Sequence, residues 1–573
     1  MVKNKIIENL VEALKKTGIK ENLIPKLEQP ANPSFGDYAS NIALVLSQKI
    51  KKNALDIAYE ILKNIKKNDL IEKTEVVKPG FINFWLTKNY LIEAANEFIN
   101  DQWLNQNFHK KKNILLEFGQ PNTHKIPHIG HFFSYIYGEA LARIFEAAGN
   151  KVFRINYQGD VGLHVAKCLY EVKNQLEVNK TKTEDLKTLK EKVDFLQRCY
   201  QKGAKKYEED PTIKEKIDQL NIKIYQKDKE IYKLWEKTRQ WSLDFYQDFE
   251  KKLGIKYDRY YFESETSTLG KEIVLKNLGK IFIKSQKAII FPGEKYHLHN
   301  RVFINQYGNP TYEAKDIGLI TQKMKDFELD QSLVATASEQ NEYWRIIIKV
   351  SEMLYPKLVG KLKHIGFGMI NLTSGKMSSR TGNILDPFTL IETIKTSIEK
   401  SFQIKNKDLV EKIALAAIKY SFLNSDYKKN IVFDLEKSIS KEGNSGPYLL
   451  YTYVRTQSVI KKFLPPENNF WVNLKEKLIA NNRMGLEKDE RELLRFFNQY
   501  PEIIQKAVDK YNPSLIANYL YVLAKKYNLF YQNYPILKAE QTIKNLRLLI
   551  TKTTGKIIKK GLYLLGIETV EEM

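Results

Sequence analysis

The stretch from Asn113 to Asn156 constrains the fold more than any other part of the chain. Asn113–Phe118 (NILLEF) is short and apolar, the pattern of a strand buried on both faces. A loop, GQPNTHKIP, follows it. The spacing then predicts a helix from about His128 to Ala148, stopped by Gly149-Asn150. Lys151–Asn156 (KVFRIN) reads as the next strand. A strand, a crossover helix and a second strand imply a parallel sheet of Rossmann type. Ligands of such sheets bind at the carboxyl ends of the strands.

The rest of the chain has to be fitted around that unit. With 573 residues, and about 100–200 residues per domain, three or four domains are expected. Hydrophobic residues at 43% and charged residues at 28% exclude wholesale disorder. Residues 1–105 read as a small α+β domain: an amphipathic first helix, helical patterns at Asp37–Ile50 and Leu55–Ile65, then a strand pair in TEVVKPGFINFWL. Residues 106–400 are assigned to the parallel-sheet domain, with a charged helical insertion at about 170–252 and returning strands such as KAIIFP and QSLVATA. Residues 401–573 are nearly all helical in period. The expected architecture is therefore α/β, with an N-terminal α+β domain and a C-terminal all-helical bundle.

Charge and cysteine usage narrow the function classes. Lys and Arg number 92 against 68 Asp and Glu, a net charge of +24. That excess points to a polyanionic partner, nucleic acid before membrane, or else to a genome that favours lysine. Cys168 and Cys199 are too few for a disulfide framework or a Cys-rich zinc site and read as packing residues in a reducing cytosol. No stretch reaches the roughly 18 apolar residues of a membrane span. The N-terminus threads charges through its apolar positions and lacks the core of a signal peptide. A cytoplasmic protein without membrane attachment is expected.

Two segments carry chemistry. Three of the eight histidines fall in the loop and helix start, at His124, His128 and His131. The loop joins a buried strand to a helix N-terminus, where backbone N–H groups and the helix dipole favour phosphate. His128 and His131 are one turn apart and project from one side, both able to donate to phosphate or ribose oxygens. Gly130 leaves room for a flat adenine ring against the backbone. The second segment is GKMSSRTGN, Gly375–Asn383. Its glycines make it mobile, and Lys376 and Arg380 are placed to neutralise a leaving polyphosphate.

With both signatures in one chain, the sequence is similar to the class I aminoacyl-tRNA synthetases and most closely resembles the arginyl-tRNA synthetases. The resemblance runs nearly end to end: PSFGDYASNIAL and PGFINFWL in the N-terminal domain, EFGQPNTHKIPHIGH and NYQGDVGLHVAK in the catalytic domain, EGNSGPYLLYTYVRTQSVIKK and LGIETVEEM in the helical domain. It implies that L-arginine is activated by ATP, with Mg²⁺ travelling on the nucleotide, and passed to the 2′-hydroxyl of the terminal adenosine of tRNA(Arg). It also implies that activation needs bound tRNA, and that the enzyme is a monomer.

The site residues follow from that match. The guanidinium is planar and cationic and needs carboxylates and a flat wall. Asp316 and Glu117 are the carboxylates implied, and Tyr312, four residues before Asp316, lines the pocket. Asn122 and Gln340 hold the amino and carboxylate end, with His131 beside them. Gln120-Pro121 stand where the family often has Ser-Pro, a contact expected through backbone. Lys125, His128, Gly130, His131, Lys376, Ser378 and Ser379 are the implied ATP contacts. Arg380 stands where the general pattern ends in lysine. Tyr451 and Arg455 are the candidate anticodon contacts. Lys-rich QKGAKKY and TGKIIKKG are expected to meet phosphate without reading sequence. The alternatives are a nucleotidylyltransferase, a synthetase for another amino acid, and an RNA-binding paralogue of the same fold that has lost catalysis.

Overall fold

The computed structural model describes residues 2–19, 23–30, 32–66, 68–101, 111–177, 183–372, 386–463, 470–481 and 485–573. The N-terminal segment begins with α1 (Val2–Lys16), which buries Ile6, Leu10 and Leu14 on one face as their spacing requires. There follow β1 (Leu27–Glu28), β2 (Tyr38–Ser40), α2 (Ile42–Ile50), α3 (Ala54–Asn64), β3 (Ile71–Val77), β4 (Phe81–Leu86) and α4 (Lys88–Ile99). The strands form an antiparallel sheet in the order β1-β2-β4-β3, and the expected strand pair is the β3–β4 hairpin. The helix expected from Asp37 starts later. Tyr38–Ser40 pair with β4, and Asn41 precedes α2. The reason is non-local: Asp37 accepts the Leu86 N–H at 2.7 Å and pairs with Arg495 at 2.9 Å, which draws the segment into the sheet.

The next region builds the site. In chain order it contains β5 (Asn113–Glu117), α5 (Ile129–Ala147), β6 (Lys151–Gln158), four helices α6 (Leu163–Glu177), α7 (Leu189–Glu209), α8 (Pro211–Tyr225) and α9 (Lys229–Leu253), then β7 (Arg259–Phe262) and α10 (Glu263–Lys276). A small antiparallel sheet follows, made of β8 (Ile283–Ser285), β9 (Ala288–Phe291) and β10 (Arg301–Ile304). Then come α11 (Tyr312–Asp326), β11 (Gln331–Ala337), α12 (Asn341–Leu354) and β12 (Leu362–Phe367). The main sheet is parallel throughout, in the order β12-β11-β5-β6-β7. The chain leaves β5 toward β6 and β7, and returns on the other side with β11 and β12. The order therefore reverses between β5 and β11, and a crevice opens above their carboxyl ends.

After β13 (Ile370–Leu372), the GKMSSRTGN segment lies outside the described residues. The remainder is α13 (Pro387–Phe402), α14 (Lys407–Leu423), β14 (Ile431–Phe433), α15 (Leu435–Ser438), α16 (Gly446–Phe463), α17 (Phe470–Ala480), α18 (Lys488–Phe497), α19 (Tyr500–Lys510), α20 (Ser514–Asn533) and α21 (Gln541–Leu564). It is helical as expected, apart from β14, which pairs with β13. Asp37 with Arg495, and the Thr553 hydroxyl on the Ala95 carbonyl at 3.0 Å, join the N-terminal segment to these helices. Buried Lys419 of α14 donates to the carbonyls of Leu253 and Gly566, tying the end of α9 to the end of the chain.

Candidate active site

A cavity of about 530 Å³ fills the crevice between β5 and β11. One end is acidic. Glu117 ends β5, is 1% exposed, and is ion-paired with Lys323 of α11. Its other oxygen accepts the Gln120 side-chain amide at 2.7 Å. Gln120 reaches it because its backbone is left-handed (φ 52°), with its N–H on Asn156. Gln120 thus uses its side chain to hold Glu117. Asp316, 8% exposed on α11, accepts the Tyr343 hydroxyl. Burial pushes its carboxyl up to about 8; the Tyr343 hydrogen bond opposes this and the charge on Glu117 adds to it. Tyr312 starts the same helix and is 55% exposed at the rim.

The other end is built from two histidines and a lysine. His128 caps α5: its Nδ1 accepts the Gly130 N–H at 3.1 Å, while His131 Nδ1 accepts the His128 N–H at 3.3 Å. The rings lie 3.9 Å apart. With both Nδ1 atoms accepting, each neutral ring bears its hydrogen on Nε2 and offers one donor. Burial, together with Lys125, holds His128 below its ordinary range; burial, His128 and Lys125 hold His131 well below it. The helix-start N–H of Gly130 is thus taken by an imidazole rather than left for phosphate. A Cβ at 130 would stand 2.9 Å from the His128 ring, so the glycine makes room for that ring as well as for any ligand. Lys125 lines the same end, and its ammonium is lowered by burial.

Between the ends, Asn122 lines the cavity with its Oδ1 over Gly159, where a Cβ would come within 2.1 Å. Gln340 lies at the rim, just before α12. Of the expected residues, Glu117, Gln120, Asn122, Lys125, His128, Gly130, His131, Tyr312, Asp316 and Gln340 converge on one cavity. Pro121 is buried beside it and is not part of its lining; its carbonyl accepts the Gly159 N–H at 3.3 Å. Lys376, Ser378, Ser379 and Arg380 lie outside the described residues. Tyr451 and Arg455 sit apart on α16, where Arg455 lies between the Tyr451 and Tyr531 rings, 4.8 and 4.9 Å from their centroids. Of the C-terminal tyrosines, Tyr453, Tyr519 and Tyr527 are core.

Sequence reasoning missed Lys323, Tyr343 and Glu263. Lys323 is seven residues after Asp316, which puts it on the same helix face. Glu263 directly follows β7, as Glu117 ends β5, and pairs with Lys315 at 2.6 Å. Burial alone would lower the Lys315 ammonium, yet Glu263 and Tyr225 hold it above its ordinary value. Among the described residues no group of three His, Cys, Asp or Glu side chains is placed to hold a metal ion.

Comparison with known proteins agrees with this geometry. The family described as tRNA synthetases class I (R), catalytic domain, matches residues 93–435. The chain belongs to the arginyl-tRNA synthetase family. The arginyl tRNA synthetase N-terminal domain matches residues 4–86 and the DALR anticodon binding domain matches residues 449–573. An arginine–tRNA ligase of Fusobacterium nucleatum is 31% identical over 96% of this chain and 97% of its own length. That of Flavobacterium psychrophilum is 31% identical over 91% and 90%. The fold is that of arginyl-tRNA synthetase structures from Plasmodium falciparum and Thermus thermophilus. Their TM-scores are 0.81 and 0.80, at 22% and 21% identity; each covers all of this chain, which in turn covers 99% and 100% of theirs. As a member of this class I family the chain is an aminoacyl-tRNA ligase. No helix among the described residues is long and apolar enough to cross a membrane.

Proposed function

We propose that this chain joins L-arginine to tRNA(Arg), using ATP and passing through arginyl-adenylate. The observation that carries the reading is the polarity of the cavity. A cationic side chain is favoured at the Glu117–Asp316 end, and a polyphosphate at the Lys125–His128–His131 end. In this reading the guanidinium takes Asp316 as its main partner, since Glu117 already holds Lys323. Gln120 and Tyr343 hold the two carboxylates in position. Asn122 and Gln340 are the groups nearest the amino-acid backbone. The arginine carboxylate then attacks the α-phosphorus of ATP in line and diphosphate leaves. The enzyme's part is positioning and charge stabilisation, with the two Nε2–H groups and Lys125 as donors. Mg²⁺ arrives on the ATP phosphates, and no side chain is assigned to it. The adenylate is then taken by the 2′-hydroxyl of the tRNA's terminal ribose.

We also propose the division into a tRNA-corner domain at 1–105, a catalytic domain at 106–400 and an anticodon domain at 401–573, with Tyr451 and Arg455 on the anticodon. The exposure of Tyr451 and Tyr531 beside Arg455 supports this, because splayed bases are bound by stacking. The test is a charging assay with ATP, Mg²⁺ and labelled arginine, with and without tRNA(Arg). Acid-precipitable label is expected with tRNA and not in Asp316→Ala. Charging of another amino acid instead would overturn the pocket assignment.

A further inference from the structure

The helices between β6 and β7 have no part in the reading above, yet one of them is bonded to the loop that carries Asn122 and Lys125. Thr238, Ser242 and Tyr246 are spaced four residues apart on α9, so they share a face. All three are buried, and each of their hydroxyls meets the loop. The Ser242 oxygen accepts the His124 N–H at 2.9 Å. The Tyr246 hydroxyl stands 2.6 Å from the Asn122 carbonyl and 2.8 Å from that of Lys125, with its one hydrogen shared between them. The Thr238 oxygen is 2.9 Å from Nε2 of the fully buried His124. The same face of α9 holds the turn after β6. The Trp235 indole N–H donates to the Asp160 carbonyl at 2.7 Å, and Arg239 pairs with the Asp160 carboxylate at 2.7 Å. That turn meets the loop in its own right, where the Thr123 N–H donates to the Gly159 carbonyl at 2.9 Å.

The loop needs this support. His124 has a left-handed backbone (φ 65°), uncommon for a residue with a side chain. Asn122 and Lys125 turn their carbonyls toward one point, where two like dipoles repel unless a donor stands between them. Tyr246 is that donor. The bond to His124 has one direction only. The Thr238 hydroxyl gives its hydrogen to the Leu234 carbonyl at 2.8 Å, so it accepts from His124 Nε2–H. Nδ1 is then the acceptor for the Thr123 hydroxyl, 2.9 Å away. Burial, with His164 and Arg239 close by, pushes the ring down to about 3, so His124 is a neutral strut and not an acid or base. Among the described residues Lys125 has no carboxylate within ion-pair reach. Its ammonium is therefore placed through its backbone, and its carbonyl is one of the two that Tyr246 holds.

We propose that Thr238, Ser242 and Tyr246 are positioning residues for the ligase reaction, and that α9 is the template on which the loop bearing Asn122 and Lys125 is set. The proposal deepens the reading of this chain as an ATP-using ligase and rests on it. It gives the helical insertion a part in ATP use through contacts that never touch the nucleotide.

The test removes single hydroxyls with little change of shape, in Tyr246→Phe and Thr238→Val, and reads ATP and tRNA(Arg) separately. In both variants the Kd for ATP with Mg²⁺, by equilibrium dialysis, is expected to weaken about fivefold or more. In charging, KM for ATP rises and kcat/KM for ATP falls about tenfold or more, while the Kd for tRNA(Arg) stays within about twofold. Thr238→Ser, which keeps the hydroxyl, recovers most of the loss. An equal loss in Thr238→Ser, or a lower kcat with KM for ATP unchanged, would mean that α9 only supports the fold, and overturns the proposal. The native chain gives a reading that needs no variant. Long-range proton–nitrogen NMR spectra should show His124, assigned through its contact with Thr238, as the Nε2–H tautomer with no titration between pH 5 and 8. A His124 that titrates there, or bears its hydrogen on Nδ1, overturns the proposal as well. If the native chain binds ATP and the variants lose it, yet no arginine is charged, the ligase reading falls and the template stands. If arginine is charged and both variants keep the native KM for ATP, the template alone falls.

Discussion

The two ends of the cavity differ in how their charges are held. At the acidic end Glu117 is ion-paired with Lys323, while Asp316 is hydrogen-bonded to a tyrosine hydroxyl and feels Lys323 only at longer range, so burial raises its pKa to about 8. At the other end the two histidines are kept neutral by burial and by Lys125, and offer fixed N–H groups. The acidic end is therefore one positive charge short, and the histidine end is a set of donors whose rings burial and Lys125 hold toward the neutral form. The difference teaches how, in the proposed reading, the cavity would discriminate by incomplete compensation: a ligand cationic at one end and anionic at the other satisfies both.

The largest effect is expected from breaking the acidic end. Asp316→Asn leaves a buried guanidinium without its charge partner, a loss of about 3–5 kcal/mol, so kcat/KM for arginine should fall by roughly three orders of magnitude in steady-state charging. A loss under tenfold would remove Asp316 from the guanidinium site. Lys323→Met breaks the same end differently, by stranding Glu117 as an unpaired buried carboxylate. The melting temperature should drop by the equivalent of about 3 kcal/mol and recover more on adding arginine than in the native chain. At the opposite end, His131→Ala removes one Nε2–H donor. We expect kcat to fall by about 100-fold while the Kd for arginine stays within about twofold, read by single-turnover kinetics and direct binding.

The smallest effect sharpens the comparison through pH. Asp316 has a raised pKa in the free protein, and a bound guanidinium favours its ionised form. Arginine therefore binds more tightly as pH rises toward about 8 and no more tightly beyond it. Both histidines are lowered from their ordinary range by burial and by Lys125, so each holds its neutral form more strongly than a free imidazole does. The acid limb should thus appear in KM for arginine and leave kcat flat. A kcat that falls with protonation near pH 6.5 would show an imidazole titrating where the account keeps both neutral.

The central sheet was legible because NILLEF and KVFRIN are apolar runs bracketing a helix with clear ends. Glu117, His128, His131 and Asp316 were legible too, the first three by position at a strand end and helix start, and Asp316 by resemblance. What escaped was pairing across long sequence separations. Lys323 reads as a surface lysine of an amphipathic helix, and only the return of α11 beside β5, about two hundred positions on, buries it against Glu117. Tyr343 is hidden in the same way, on a helix start remote from Asp316. The Gln120–Glu117 contact was hidden because the left-handed backbone that aims the side chain back at Glu117 has no local signature in a non-glycine residue. Asp37 was misread because its partners, Leu86 and Arg495, are far along the chain.

The most direct test of the one-charge deficit is the proton balance of arginine binding. Titration calorimetry at pH 7 in two buffers of different ionisation heat counts the protons released. With Asp316 near pKa 8 when free and ionised when bound, close to one proton should leave per arginine at pH 7, almost none at pH 9.5, and none at either pH in Asp316→Asn. Arginine binding to the native chain at pH 7 without proton release would contradict the account.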